Sequence, residues 1–245
     1  MDDDAAGFGA SRSNYETKVI AGNTFDYPIV HGEAIMAAGY SFVSSSMDAF
    51  AGKSFNAEQY PVVDIIMGKQ KEVKIGRGAV PNRYKTMSPE LMTTITEYTK
   101  TGGNVMLTGS FIATDIWDKK NAVEEEKAFA ADVLGYKWRV GQAAIVGKIH
   151  SVPSIHSKLS DDGSWTFGME LNDKIYAVES PDAIYPADTQ TGATVFRYTE
   201  NNIPAGIASS KNGYKTFVLG VPFEVIKGKE NRNAFMQRVL NFFEK

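Results

Sequence analysis

The chain has 245 residues, of which 43% are hydrophobic, 11% aromatic and 22% charged: enough apolar surface for one large core and too much for a disordered chain. Its 26 basic and 29 acidic residues leave a formal charge of −3, which excludes a global positive field for nucleic acid or anionic lipid. The absence of cysteine removes disulfides, thiolate metal ligands and cysteine nucleophiles, and leaves the redox compartment open.

Residues 1–16, with Gly7, Gly9, Ser11 and Ser13 after three aspartates, lack periodicity and read as a linker or tail; residues 17–245 read as a single α/β domain. Met1 runs straight into Asp2 rather than into a basic and then apolar leader, and no apolar run approaches the roughly 20 residues a membrane span requires. Lys18 to Ala21 reads as a short strand leading through Gly22 to Asp26 into a helix that has Pro28 in its first turn and Gly39 at its end. Tyr40 to Ser44 reads as a second strand. Val62 to Met67 (VVDIIM) has the near-continuous β-branched character of a strand buried on both faces.

Ser88-Pro89-Glu90 is a helix start with a capping hydroxyl, a proline at the first position and an acid at the positive end of the dipole; Gly102-Gly103 closes that helix. Asn104 to Thr108 is a strand, and Asn121 with Glu124 opens another helix. From Tyr136 to Tyr198 short strand-like pieces broken by Gly, Pro, Asp and Ser read as an irregular β-rich elaboration. Ala205 to Ser209 and Tyr214 to Val221 flank Asn212-Gly213 and read as an antiparallel hairpin, and an amphipathic helix follows from about Glu230. The alternation of helices and strands predicts an α/β fold of three layers, a mostly parallel sheet flanked by helices.

In such a sheet the loops past the carboxyl ends of the strands face one crevice, which selects the candidate residues. They are Asn23, Asp26 and His31 after the first strand, Gly68, Lys69 and Gln70 after VVDIIM, Ser110 and Asp115 after VMLT, and Glu224 after FVLG. Ser110 on a tight turn suggests a nucleophile, with His31 as base, Glu224 or Asp26 as orienting acid and the Gly68 backbone as oxyanion donor. The turn lacks the outer glycines of GxSxG, and a hydroxyl there also serves simply to satisfy backbone groups at a strand end. Asp26 before Pro28 reads equally as a helix cap, and His31 near a helix start as a hydrogen-bonded structural residue. Lys69, Lys71, Lys74, Arg77 and Arg83 form a basic loop that would receive an anionic group or simply be solvated. Trp117, Trp138 and Trp165 would line a sugar groove or pack in the core. Phosphate-loop, dinucleotide, zincin and EF-hand patterns are missing, and three scattered histidines give no metal-ligand spacing, so neither cofactor nor metal is implied.

The order of elements, with Gly103 to Leu107 leading to Ser110, Asp64 to Gly68, and Gly220 to Glu224, resembles the class I glutamine amidotransferase-like, flavodoxin-like fold. That resemblance puts Ser110 where the family has its cysteine and keeps a glutamate without the adjoining histidine, so glutaminase chemistry is not expected. Gly7 to Ser11, Gly22 to Tyr27, His31-Gly32, Ala38 to Ser44, Gly68 to Lys71, Glu179 to Ile184 and Pro222 to Glu224 are similar to modules of secreted gut-bacterial proteins labelled xanthan lyase. This resemblance implies a module of a longer, exported glycan- or envelope-processing protein that binds or scaffolds, with a carbohydrate or cell-envelope ligand and neighbouring domains as partners. The alternatives are a serine hydrolase on acylated glycans or peptides and, below it, a polysaccharide lyase using Lys69 or Lys71.

Overall fold

The computed structural model describes residues 27–75, 82–119, 122–170, 175–211 and 213–244. The expected strand at Lys18 to Ala21 and the candidates Asn23 and Asp26 lie outside the described residues, as does Arg77.

The first helix, α1, spans Tyr27–Ala37, with Pro28 in its first turn as expected. Tyr40 to Ser44 is not a strand: the segment runs as irregular, largely exposed chain and carries Phe42 back onto α1. A Cβ on Gly32 would sit 2.1 Å from Phe42 Cζ, so only glycine there lets the ring lie against the helix. Helix α2 (Met47–Ala51) is capped by Ser46, whose hydroxyl accepts the Ala49 N–H. Strand β1 (Val62–Gly68) forms as predicted, and β2 (Val73–Ile75) pairs antiparallel with β3 (Asn82–Tyr84). Helix α3 (Pro89–Lys100) begins as its sequence requires, with the Ser88 hydroxyl accepting the Leu91 N–H at 3.2 Å. Strand β4 (Asn104–Gly109), the short helix α4 (Thr114–Trp117) and helix α5 (Glu124–Phe129) follow, and α5 runs on as a π-turn over Ala130–Leu134.

The stretch expected to be an elaboration is instead integral to the fold. It supplies β5 (Tyr136–Val140), β6 (Lys148–Ser151), β7 (Ser164–Thr166), β8 (Ala183–Pro186) and β9 (Gly192–Tyr198), three of which join the main sheet. Strands β10 (Pro204–Lys211) and β11 (Tyr214–Leu219) make the expected hairpin, and α6 (Lys229–Phe243) ends the described fold.

The main sheet has seven strands in the order β1-β4-β11-β10-β9-β6-β7, and β5 pairs separately with β8. Among the described residues only β1 with β4 and β4 with β11 are parallel; the ladders β11-β10, β10-β9, β9-β6 and β6-β7 are antiparallel. The expectation of a mostly parallel three-layer sheet is therefore corrected to a mixed sheet with mainly antiparallel pairing. The physical reason is that among the described residues no α-helix lies between β5 and β11, so the strands of that stretch pair without the helical crossovers that parallel neighbours need.

Strand alternation splits the core between the two faces. Val63, Ile65 and Met67 of β1 pack with α2 and α3 on one face, whereas Ile66 packs with α1 and α6 on the other. The second cluster holds the aromatic centre, in which Phe196 and Phe235 stack at 5.1 Å and Trp165 meets both rings edge-on. Trp165 is thus core rather than groove, with the Arg238 guanidinium 4.8 Å above it.

Candidate functional site

The alternation that sends Ile66 toward α1 and α6 sends Asp64 the same way. A carboxylate on a strand packed on both faces needs a charged or hydrogen-bonding partner, since an unpaired buried charge is strongly unfavourable. One such partner is His31 of α1, which is 2% exposed and whose Nδ1 lies 2.6 Å from Asp64 Oδ2. Its other ring nitrogen, Nε2, lies 3.2 Å from Oε2 of Glu224. Glu224 occupies the 3-10 turn Phe223–Val225 that follows β11, and the Phe223 ring meets the imidazole edge-on at 4.6 Å. The second Glu224 oxygen accepts the Tyr176 hydroxyl.

Burial pulls the His31 pKa down, but the charge and hydrogen bond of Asp64, followed by those of Glu224, outweigh it and lift the pKa to about 9. At neutral pH the ring is therefore an imidazolium that donates from both nitrogens, with no lone pair left to take a proton. The carboxylates sit on opposite nitrogens of one ring, so they diverge rather than converge on a common point. Among the described residues, no group of three or more His, Cys, Asp or Glu is arranged to hold a metal ion, and no helix is long and apolar enough to cross a membrane.

The remaining candidates lie at the carboxyl ends of β1 and β4. The Ser110 hydroxyl donates to the Gly68 carbonyl at 3.4 Å, and the Ser110 N–H donates to the same oxygen at 2.9 Å. Gly68, at φ 50°, thus turns a carbonyl toward Ser110, the opposite of what an oxyanion donor presents. Lys69 is 7% exposed and puts its ammonium on both oxygens of the half-exposed Glu179, at 2.9 and 2.7 Å, with the Tyr176 ring centroid 5.9 Å away. Gln70 is 1% exposed; its carbonyl accepts the Thr86 hydroxyl, while neither atom of its side-chain amide has a hydrogen-bond partner among the described residues. Asp115 accepts the Glu72 N–H at 2.9 Å and the Thr86 hydroxyl at 2.7 Å, tying the β1 loop to α4. The structure thus brings His31 and Glu224 together, links Glu224 through Tyr176 toward Lys69, and gives the Ser110 hydroxyl a backbone partner instead of an imidazole.

Sequence reasoning passed over three residues here. Asp64 had a usable signal, a lone carboxylate inside an otherwise apolar strand. Tyr176 had none. Asp182, beside a proline in an irregular stretch, accepts the Ala113 N–H at 2.6 Å, the Thr114 N–H at 2.9 Å and the Thr114 hydroxyl, and so caps α4. Burial pushes its carboxyl from 3.8 up to about 7 despite those three donors.

No protein-family model and no curated protein matches the chain. Its fold does resemble solved structures. A β-galactosidase from Rahnella sp. R3 aligns at 12% identity over 89% of this chain and 27% of its own, with a TM-score of 0.55. Gan42B, a GH42 β-galactosidase from G. stearothermophilus, aligns at 12% identity over 92% and 26%, with a TM-score of 0.53. The mmIFT52 N-terminal domain aligns at 12% identity over 85% and 86%, with a TM-score of 0.50. The chain therefore spans about a quarter of the length of the two galactosidases, and at this identity the likeness is one of fold alone.

These neighbours include carbohydrate-active enzymes; they do not support the resemblance to class I glutamine amidotransferases or to proteins labelled xanthan lyase. With four of the six ladders in the main sheet antiparallel, that resemblance is corrected, and the flavodoxin-like reading with it.

Proposed function

We propose that the chain is a non-catalytic domain of an exported glycan-processing protein, serving to bind a carbohydrate or cell-envelope ligand or to scaffold neighbouring domains. One observation carries the non-catalytic part: His31 has both nitrogens committed to carboxylates, so the single buried histidine beside Glu224 has no base function to offer Ser110. The glycan setting draws support from the likeness to a quarter-length portion of two β-galactosidases.

The test is an assay of the purified chain and of Ser110→Ala with nitrophenyl galactoside and nitrophenyl acetate, paired with a glycan-binding screen. The expected result is release of nitrophenol at the buffer rate by both proteins, with any glycan signal the same for both. Turnover by the natural chain that disappears in Ser110→Ala would overturn the reading.

A further inference from the structure

A cavity of about 250 Å³ lies between α1, the 40–45 segment, β1 and α6. Ile35, Phe42, Val43, Ile66, Met106 and Leu240 give it apolar walls. Polar side chains that border it are engaged within the protein. The two His31 nitrogens lie on Asp64 and Glu224, the Asn104 amide bridges the Pro61 carbonyl and the Lys215 N–H, and the Ser45 hydroxyl donates to the Ser46 carbonyl. Such a surface asks few hydrogen bonds of a guest and rewards one that brings apolar area.

The outer wall is a roof made by one pass of the chain: Tyr40 to Ser44 are exposed along their length and also line the cavity. Two contacts hold this roof down. The Phe42 ring lies against Gly32, where a side chain would collide with it, and the Tyr40 hydroxyl donates to Glu244 just past α6. An apolar protein cavity of roughly 150 Å³ accommodates benzene, so this one has room for two fused rings or for one ring with a short alkyl chain. We propose that the cavity is a binding site for a small uncharged apolar molecule of that size, closed in by the 40–44 roof. A carboxylate on the same rings would have to leave water among these walls, and among the described residues no lysine or arginine lines the cavity to receive it. The site goes beyond the function proposed above and does not rest on it, since neither Ser110 nor a carbohydrate enters it.

The test is calorimetric titration of the full chain at pH 7 with naphthol and naphthoate, the same two fused rings without and with a negative charge. Naphthol is expected to bind with a Kd below about 1 mM and at least about tenfold more tightly than naphthoate. Leu240→Trp, which fills the cavity from the α6 side, should weaken naphthol at least about tenfold. Gly32→Ala moves Phe42 off its seat and leaves the inner walls as they are; it should weaken naphthol about fivefold, and it decides the matter if Leu240→Trp does not fold. Naphthoate binding as tightly as naphthol, no naphthol binding at millimolar concentration, or naphthol binding unchanged in a folded variant would each overturn the proposal.

Discussion

His31 and Asp182 are both almost wholly buried, at 2% and 0% exposure, and burial is the largest influence on each, yet their charges come out differently. His31 faces two carboxylates, which outweigh desolvation and keep it cationic up to about pH 9. Asp182 accepts only from neutral donors among the described residues, the Ala113 and Thr114 N–H groups and the Thr114 hydroxyl; desolvation prevails, the Asp115 charge adds to it, and the carboxyl titrates near 7. A buried charge survives at neutrality in this fold where an opposite charge meets it. Dipoles alone hold the geometry of a cap without holding its ionisation.

The largest break in that comparison is removal of the cation. His31→Leu removes the imidazolium that lies between Asp64 and Glu224, and losing one partner of a buried ion pair costs about 3–5 kcal/mol. Urea unfolding at pH 7 measures it; a loss under about 1 kcal/mol would mean that the three groups do not form an ionised bridge. The pH dependence of the natural chain comes next. Both folded pKa values lie above their unfolded ones, so each group's contribution is complete at low pH and lost as pH rises. Asp182 gives up its share, roughly 4 kcal/mol, between about 4 and 7, and His31 gives up roughly 3 kcal/mol between about 6.5 and 9. Stability should therefore fall in two steps on the alkaline side of pH 4. Asp182→Asn, which keeps the acceptor for α4, should remove the first step and leave the second.

The parts of the fold and site that could be read in the sequence are those fixed by local chemistry. Ser88-Pro89, the buried run of β1, and Asn212-Gly213 between β10 and β11 each settle an element within a few residues. The strands between Tyr136 and Tyr198 are short and place their partners far along the chain, as when Ile149 of β6 pairs with Tyr198, and no nearby residue marks that register. Tyr40 to Ser44 has the alternation of a strand, but Gly32 gives Phe42 a seat on α1, and packing takes precedence over the pattern. In the site, Glu224 was reached through its place after a strand. The pairing of His31 with Asp64, 33 residues later, depends on α1 lying across β1, which no spacing encodes.

The smallest expected effect sharpens the comparison from its uncharged side. Ser110 is 1% exposed, but its hydroxyl makes only a long bond to the Gly68 carbonyl, and that oxygen keeps the Ser110 N–H at 2.9 Å when the hydroxyl is gone. Ser110→Ala thus leaves no acceptor stranded and should cost less than about 1 kcal/mol in urea unfolding. It should also leave the NMR titration midpoint of the His31 ring near 9, because both ring nitrogens answer to Asp64 and Glu224 and neither to Ser110. A midpoint moved by a full unit in Ser110→Ala would show that the hydroxyl and the imidazole share one network. The contrast between a charge-held histidine and a backbone-held serine would then give way, and the non-catalytic reading with it.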